Sequence, residues 1–338
     1  MIKFSIIIAV RAVNDFLREN ISKIRELQYD NFEVIIILDN PENPDFSGDS
    51  RFKVLVSGPV GPGEKRNIGA KEASGEILVF LDDDAYPTSD WLLQASKIFE
   101  NPQIYALGGP AMTPFDASFL ERMSGRVLES TLASGFTIYR HMPQAEREID
   151  DYPTVNLFVR KSAFDSVGGF PLEFWPGEDT KLCLDLVKKF GKKFLYNPMP
   201  IVFHHRRNLF APHLKQISRY GKHRGQFARI YPETSRIPSY FIPSIFVIGL
   251  VLGPIFSLLH PLFLKLYFVM LVLYFILLLL EGVRVYIKEN TLKAAFYVMV
   301  GIFLTHIYYG VNFIVGLLHK PKLKLKGIDK KTGNYNEG

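Results

Sequence analysis

The chain has 338 residues, 48% of them hydrophobic and 22% charged, with a net charge of +6 at neutral pH. Cys183 is the sole cysteine, which excludes an internal disulfide and agrees with a reducing compartment. The positive charge gathers after residue 187 without a basic-aromatic nucleic-acid motif, a pattern that suits an anionic membrane surface and sets nucleic acid aside as a partner.

The opening stretch, MIKFSIIIAVR, has an apolar run from Phe4 to Val10 closed by Arg11, with no small-residue cleavage site after it. It reads as a first strand and not as a signal peptide. Asn14 is placed to cap a helix whose apolar face is Phe16, Leu17, Ile21, Ile24 and Leu27. Phe32–Leu38 is a second strand ending in Asp39-Asn40, followed by a loop rich in Pro, Asn and Asp and a short strand at Lys53–Val56. The turn-dense GPVGPG of residues 58–63 feeds a helix over Glu64–Ala73 with Lys65 and Arg66 in its first turn. Cations there oppose the helix dipole, so their purpose is something other than helix stability.

Ile77–Leu81, bounded by Gly75 and Pro87, is a strand buried on both faces that runs into Asp82, Asp83 and Asp84. Carboxylates at the end of so apolar a strand belong on the C-terminal edge of an open sheet, where a cation has to meet them. Ser89 is expected to cap a helix over Asp90–Phe99. This succession of short buried strands and helices predicts an α/β fold, Rossmann-like, with a mostly parallel sheet.

Farther on, Ala106–Gly109 is a strand candidate and Pro110–Arg147 an irregular excursion. Val155–Arg160 is a strand and Ala163–Val167 a short helix. The run FWPGEDTKLCLDLVKKFG predicts a loop and a helix from about Glu178 to Phe190, stopped by Gly191. Lys193–Tyr196 and Ile201–Phe203 are short strands, the second ending in His204-His205. Residues 209–236 are basic and amphipathic, with Leu214, Ile217, Tyr220 and Phe227 set among Lys215, Arg219, Lys222, Arg224 and Arg229. Such a segment is expected to lie on a membrane surface. Three apolar segments follow, near 240–259, 262–280 and 294–318, each about the 20 residues that cross a bilayer core. Their topology conflicts with the positive-inside rule. The arm before residue 240 and the 282–293 loop both favour the cytoplasm, yet a third full span would carry Lys320, Lys322, Lys324 and Lys326 outside. The expected organisation is an α/β domain over 1–208, an interfacial segment over 209–238, about three transmembrane helices over 239–319 and a basic tail over 320–338. This describes a multi-pass protein of the cell membrane with its α/β domain in the cytoplasm.

The strand ends carrying Asp39 and Asp82–Asp84 should share one sheet edge, and carboxylates of that kind favour Mg²⁺ or Mn²⁺ bridged to a diphosphate. With SIIIAV, EVIIILDN, KRNIGAKEASGEILVFLDDDA, GED and QISRY in this order, residues 3–235 resemble the inverting family 2 glycosyltransferases of the GT-A fold. The membrane tail is similar to that of members that build surface polysaccharides and glycolipids. The resemblance implies a nucleotide-diphosphate sugar donor, a lipid-linked or membrane-proximal acceptor, membrane lipids as neighbours and Mg²⁺ or Mn²⁺ as cofactor. It implies that Asp39 binds the nucleobase and that Arg66 lies beside the nucleotide. Asp82 and Asp84 would be the outer residues of a DXD motif that meets sugar and metal, and Asp83 the intervening residue, useful as a control. Asp179 matches the catalytic base, with Glu178 on the acceptor side. Gln216, Arg219 and Tyr220 match QxxRW with Tyr for Trp, placing Arg219 near the diphosphate and Gln216 and Tyr220 at the acceptor. His204 and His205 are candidates to reach metal or phosphate, with surface histidines the alternative. The competing functional class is a membrane scaffold or transporter with a degenerate nucleotide-binding domain, which would leave the DDD, GED and QxxRY residues without a task.

Overall fold

A computed structural model describes residues 1–42 and 48–319, together with the backbone of two short antiparallel strands at 325–328 and 335–337. The basic tail expected from Lys320 therefore lies outside the described side chains. In chain order the elements begin with β1 (Phe4–Ala9), α1 (Asp15–Arg25), β2 (Phe32–Leu38), β3 (Phe52–Val56), α2 (Pro62–Glu72) and β4 (Ile77–Phe80). They continue with β5 (Ala85–Pro87), α3 (Trp91–Phe99), β6 (Ala106–Gly108), β7 (Ala111–Met112), α4 (Phe119–Leu128), α5 (Thr131–Ser134), β8 (Arg147–Glu148) and β9 (Leu157–Arg160). Then come α6 (Lys161–Ser166), α7 (Glu178–Phe190), β10 (Phe194–Tyr196) and β11 (Val202–His204). Helices close the chain: α8 (Ala211–Ile230), α9 (Pro232–Ser235), α10 (Pro238–Ser257), α11 (Pro261–Glu289) and α12 (Leu292–Leu318).

Two compact units divide these elements. The first holds Met1–Met112, Met142–His205 and Lys322–Gly338, the second Thr113–His141 and Arg206–Pro321. The expected boundary near residue 208 is thus crossed once: the excursion after Pro110 leaves the α/β unit at Thr113 and packs with the helices, returning at Met142. Its reason is visible in α4, whose Met123 and Val127 join Leu209, Leu278, Val298 and Ile302 in one apolar cluster of the second unit.

The first unit is an eight-stranded sheet in the order β3-β2-β1-β4-β9-β6-β10-β8. β3, β2, β1 and β4 run parallel, as do β6 and β10, whereas β9 is antiparallel to both β4 and β6. The sheet is mostly parallel, as its near-continuous apolar strands require once both faces are covered. Every residue of β4 is buried, and β1 is buried from Phe4 to Ile8. α2 comes down hard on this sheet. A Cβ added at Gly69 would stand 2.7 Å from Ile7 Cγ2, so only glycine lets the helix approach β1 this closely. A second, three-stranded sheet, β5-β11-β7, places His204 opposite Ala85. The α3 helix starts one residue later than expected: its N-cap is Asp90 and not Ser89, and the Asp90 carboxylate receives Thr88 Oγ1 and Gln94 Nε2.

In the second unit, α8 is two-faced. Leu214, Ile217, Gly221, Arg224 and Ala228 are buried along one stripe, while Lys215, Arg219 and Arg229 are exposed on another. The buried stripe lies against α12: a Cβ added at Gly225 would fall 2.1 Å from the Phe313 carbonyl oxygen. The three helices α10, α11 and α12 are each long and apolar enough to cross a membrane. Pro243 and Pro254 both lie inside α10.

Candidate active site

β2 and β4 both pair in parallel with β1, so Asp39 and the Asp82–Asp84 run emerge on the same edge of the sheet. α2 delivers Lys65 and Arg66 to that edge from its first turns, and both are buried. Lys65 Nζ forms an ion pair with Asp39 and donates to the Val10 carbonyl at 2.6 Å. Burial pushes the Lys65 pKa down against the opposing pull of Asp39. The lysine thereby fixes one oxygen of the carboxylate expected at the nucleobase.

Arg66 is the hub. Its Nη2 donates to Asp82 Oδ1 at 2.8 Å and its Nη1 to Glu178 Oε1 at 3.0 Å, and the guanidinium stands 5.7 Å over the Phe170 ring. Burial works against its charge, but Asp82, Glu178 and Asp179 outweigh burial and hold its pKa above the ordinary value. One side chain therefore ties the end of β4 to the start of α7. Arg66, expected beside the nucleotide, is in the structure a buried brace between Asp82 and Glu178.

Glu178, expected on the acceptor side, is the second carboxylate on this brace. It is 6% exposed, accepts from Arg66 and accepts the Gly177 amide at 3.1 Å through Oε2. Burial pushes its pKa up against the counter-pull of Arg66. Asp179, the next residue, is half-buried and accepts the Thr180 amide at 2.7 Å. Of the two acids in GED, Asp179 is the one nearer solvent.

The three aspartates are not equivalent. Asp82 has one oxygen on Arg66 and a side chain 31% exposed, and its backbone carbonyl accepts Asn20 Nδ2 at 3.2 Å. Asp84 Oδ1 is 3.2 Å from His204 Nε2, and its carbonyl accepts the His205 amide at 3.0 Å. His205 itself is turned to Glu19 at 2.7 Å. Asp83 Oδ2 accepts Asn14 Nδ2 at 2.8 Å, while Asn14 Oδ1 caps α1 at the Leu17 amide. Burial, then the charges of Asp84 and Asp82, push Asp83 up to about 6. Asp83 is therefore not an inert control, because it is tied to the cap of the first helix. Asn14 was legible only as that cap, and its second bond, 69 residues along the chain, had no signal in the sequence. Asn14→Ala removes both bonds and should cost roughly 1 kcal/mol for the lost cap alone, read as a lowered denaturation midpoint.

Among the described residues no three His, Cys, Asp or Glu side chains converge into a cage for an ion. The donor set nonetheless fits a hard divalent cation. Asp82 and Asp84 are half-buried carboxylates two residues apart, and Mg²⁺-type sites use one or two carboxylates with phosphate oxygens and water supplying the rest. Asp82, through its oxygen not held by Arg66, and Asp84 are the residues that would hold it. Gln216, Arg219 and Tyr220 lie on α8 in the second unit, where Gln216 Nε2 donates to Tyr220 Oη at 3.0 Å.

A family model described as glycosyl transferase family 2 matches residues 5–168. A pre-mycofactocin glycosyltransferase of Mycobacterium tuberculosis is 27% identical over 236 residues, which are 68% of this chain and 48% of that protein. A glucosyl-dolichyl phosphate glucuronosyltransferase of Haloferax volcanii is 20% identical over 219 residues, 60% of this chain and 69% of its own. The chain spans about half the length of the first of these relatives. Among solved structures, the mannosyltransferase PcManGT from Pyrobaculum calidifontis, in complex with GDP-Man and Mn²⁺, superposes over 94% of this chain and 87% of its own with a TM-score of 0.54. At 15% identity that likeness is one of fold.

Proposed function

The chain carries a glycosyl transferase family 2 domain over residues 5–168, and on that premise we propose that it moves a sugar, with inversion, from a nucleoside-diphosphate sugar to a lipid-linked acceptor at a membrane. The observation that carries the reading is the buried Arg66 brace, which ties the donor-side carboxylate Asp82 to the first turn of α7, bearing Asp179. A displacement at the anomeric carbon needs a base on one side and charge neutralisation on the other. Asp179 takes the acceptor hydroxyl proton as the new carbon–oxygen bond forms. The bond from the anomeric carbon to the phosphate oxygen breaks, and the electron pair leaves with the nucleoside diphosphate. Asp82 and Asp84 would hold a divalent ion, which would supply Lewis-acid neutralisation of that diphosphate. Asp39, oriented by Lys65, is the base-binding carboxylate.

The lipid-linked acceptor is supported by the three long apolar helices and by the dolichyl phosphate in the name of one relative. GDP-mannose and Mn²⁺ in the Pyrobaculum enzyme make guanosine nucleotides and Mn²⁺ the first donors and metal to try. Basic residues on α8 and around the α11–α12 junction (Arg284, Lys288 and Lys293) support a cytoplasmic catalytic domain. The direct test is release of nucleoside diphosphate by purified protein with Mn²⁺ or Mg²⁺ across a panel of nucleotide sugars. No release above background from any of them would overturn the proposal. A coupled prediction concerns the metal. Mn²⁺ and nucleoside diphosphate together should raise the melting temperature more than the sum of either alone, and Asp84→Ala should remove that excess. An undiminished excess in Asp84→Ala would take Asp84 out of the metal site.

A further inference from the structure

We infer that α12 does not cross the membrane: it lies along the bilayer surface beside α8, across the base of an inserted α10–α11 hairpin, and the chain leaves on the side from which it arrived. The inference concerns the second unit alone and does not depend on the reaction.

Contact registers decide the geometry. α10 and α11 run antiparallel, with Phe246 on Tyr274 (4.2 Å between rings), Gly249 at Met270, Gly253 at Tyr267 and Phe256 on Phe263 (6.2 Å). α11 and α12 also meet in opposite senses, through Tyr274 Oη to His306 Nδ1 at 2.8 Å and Gly282 at Met299. So do α10 and α12, through Phe241 on Phe313 (4.8 Å), Ser244 Oγ donating to the Gly310 carbonyl at 3.0 Å, and Phe246 near Phe303 and His306. Three helices lying along one axis cannot all be antiparallel to one another. α12 must therefore cross the other two, passing from the α11 side at Met299 to the α10 side at Phe313. Among the described residues its ring and hydrogen-bond contacts with them run from their base up to Phe246 and Tyr274, near mid-helix, whereas the distal hairpin from Gly249 through Tyr267 packs on itself.

Polar partners line α12 at both ends. At its start Lys293 Nζ stands 4.9 Å over the Phe119 ring of α4, and the preceding end of α11 is bound to α4 through Glu289 with Arg126 (2.8 Å) and Lys288 with Glu129 (3.6 Å). Along its second half α8 runs parallel to it: His213 Nε2 with Thr305 Oγ1 at 3.0 Å, Gly221 at Tyr309, Gly225 at Phe313, and Arg229 Nη1 donating to the Leu318 carbonyl at 3.3 Å. The outer stripe of α8 is Lys215, Arg219, Lys222, Gln226 and Arg229, at steps of four, three, four and three residues. A helix carrying that stripe belongs in the headgroup region, where anionic lipid meets it, and it fixes the depth of everything packed along it. A spanning helix needs one end on the far side; neither end of α12 has one. α12 still turns Phe296, Phe303, Val311 and Leu318 outward, as an interfacial helix turns its apolar face to the acyl chains. The conflict with the positive-inside rule disappears, because the lysine-rich tail then stays with the other basic segments.

The test uses the full chain in membranes of an expression host, with one cysteine added at a time. Cys183 is buried, so the unsubstituted chain gives the labelling background. A membrane-impermeant maleimide applied to spheroplasts and to inverted vesicles should label His319→Cys from the same side as Glu100→Cys, an exposed site in the α/β unit. Labelling of the two from opposite sides would overturn the inference. Bimane attached at Phe296→Cys, Phe303→Cys, Val311→Cys or Leu318→Cys, all exposed positions, should be quenched alike by shallow brominated lipid. Deep quenching at Phe303 and Val311 with shallow quenching at the two ends would mean that α12 spans.

Discussion

Replacing Asp179 by Asn is expected to lower the turnover of sugar transfer by roughly 10²- to 10⁴-fold, the usual contribution of a positioned general base. Nucleotide-sugar binding should survive, because Asp39, Lys65, Asp82 and Asp84 are untouched. Asn keeps an oxygen for the Thr180 amide that Asp179 now bonds at 2.7 Å, so the first turn of α7 should hold its shape. Two measurements separate the roles: transfer rate with saturating donor, and donor affinity by calorimetry. A variant that transfers sugar at the parental rate would remove Asp179 as the base. A variant that has lost donor affinity as well would make it part of the donor site.

The largest stability effect should come from Arg66→Met. That change leaves Glu178, only 6% exposed, as a buried acid without its cation. Breaking a buried pair from one side costs about 3–5 kcal/mol, whereas replacing both partners by apolar groups is often neutral. Arg66→Met should therefore lower the denaturation midpoint sharply, and Arg66→Met with Glu178→Leu should recover much of that loss. Activity should not return in the double variant, since Asp82 has lost the donor that aims it. An unchanged midpoint in Arg66→Met would mean that the brace contributes nothing to the fold.

The strands that build the sheet were legible because burial on both faces leaves a continuous apolar run: Phe4–Ala9 and Phe32–Leu38 are found where the pattern puts them. The shared edge for Asp39 and Asp82–Asp84 followed from parallel pairing alone. What the residues around the site do was less legible, because it depends on partners far apart in sequence. Glu178 and Arg66 are 112 residues apart, and Lys65 and Val10 are 55. A cation in the first turn of a helix announces that it has a purpose, but not whether that purpose is a ligand or a buried acid. The α8 segment shows the same limit in another form. Its basic stripe was plain, yet the face that packs on α12 contains Gly221 and Gly225, residues no hydropathy pattern marks as a contact. The α4 excursion had no periodicity strong enough to show that it would leave one unit for the other.

Arg66 also has a thermodynamic consequence. One planar cation hydrogen-bonds Asp82 with one nitrogen and Glu178 with another, so its two carboxylates compete for a single charge. A ligand that engages Asp82 alters what Arg66 offers Glu178, and with it the seating of the helix turn that carries Asp179. Linkage makes such an effect reciprocal: by whatever factor bound donor changes acceptor affinity, bound acceptor must change donor affinity. In a binding cycle closed around the four liganded states, the Arg66→Met, Glu178→Leu pair should bring that factor close to one, uncoupling the two substrates.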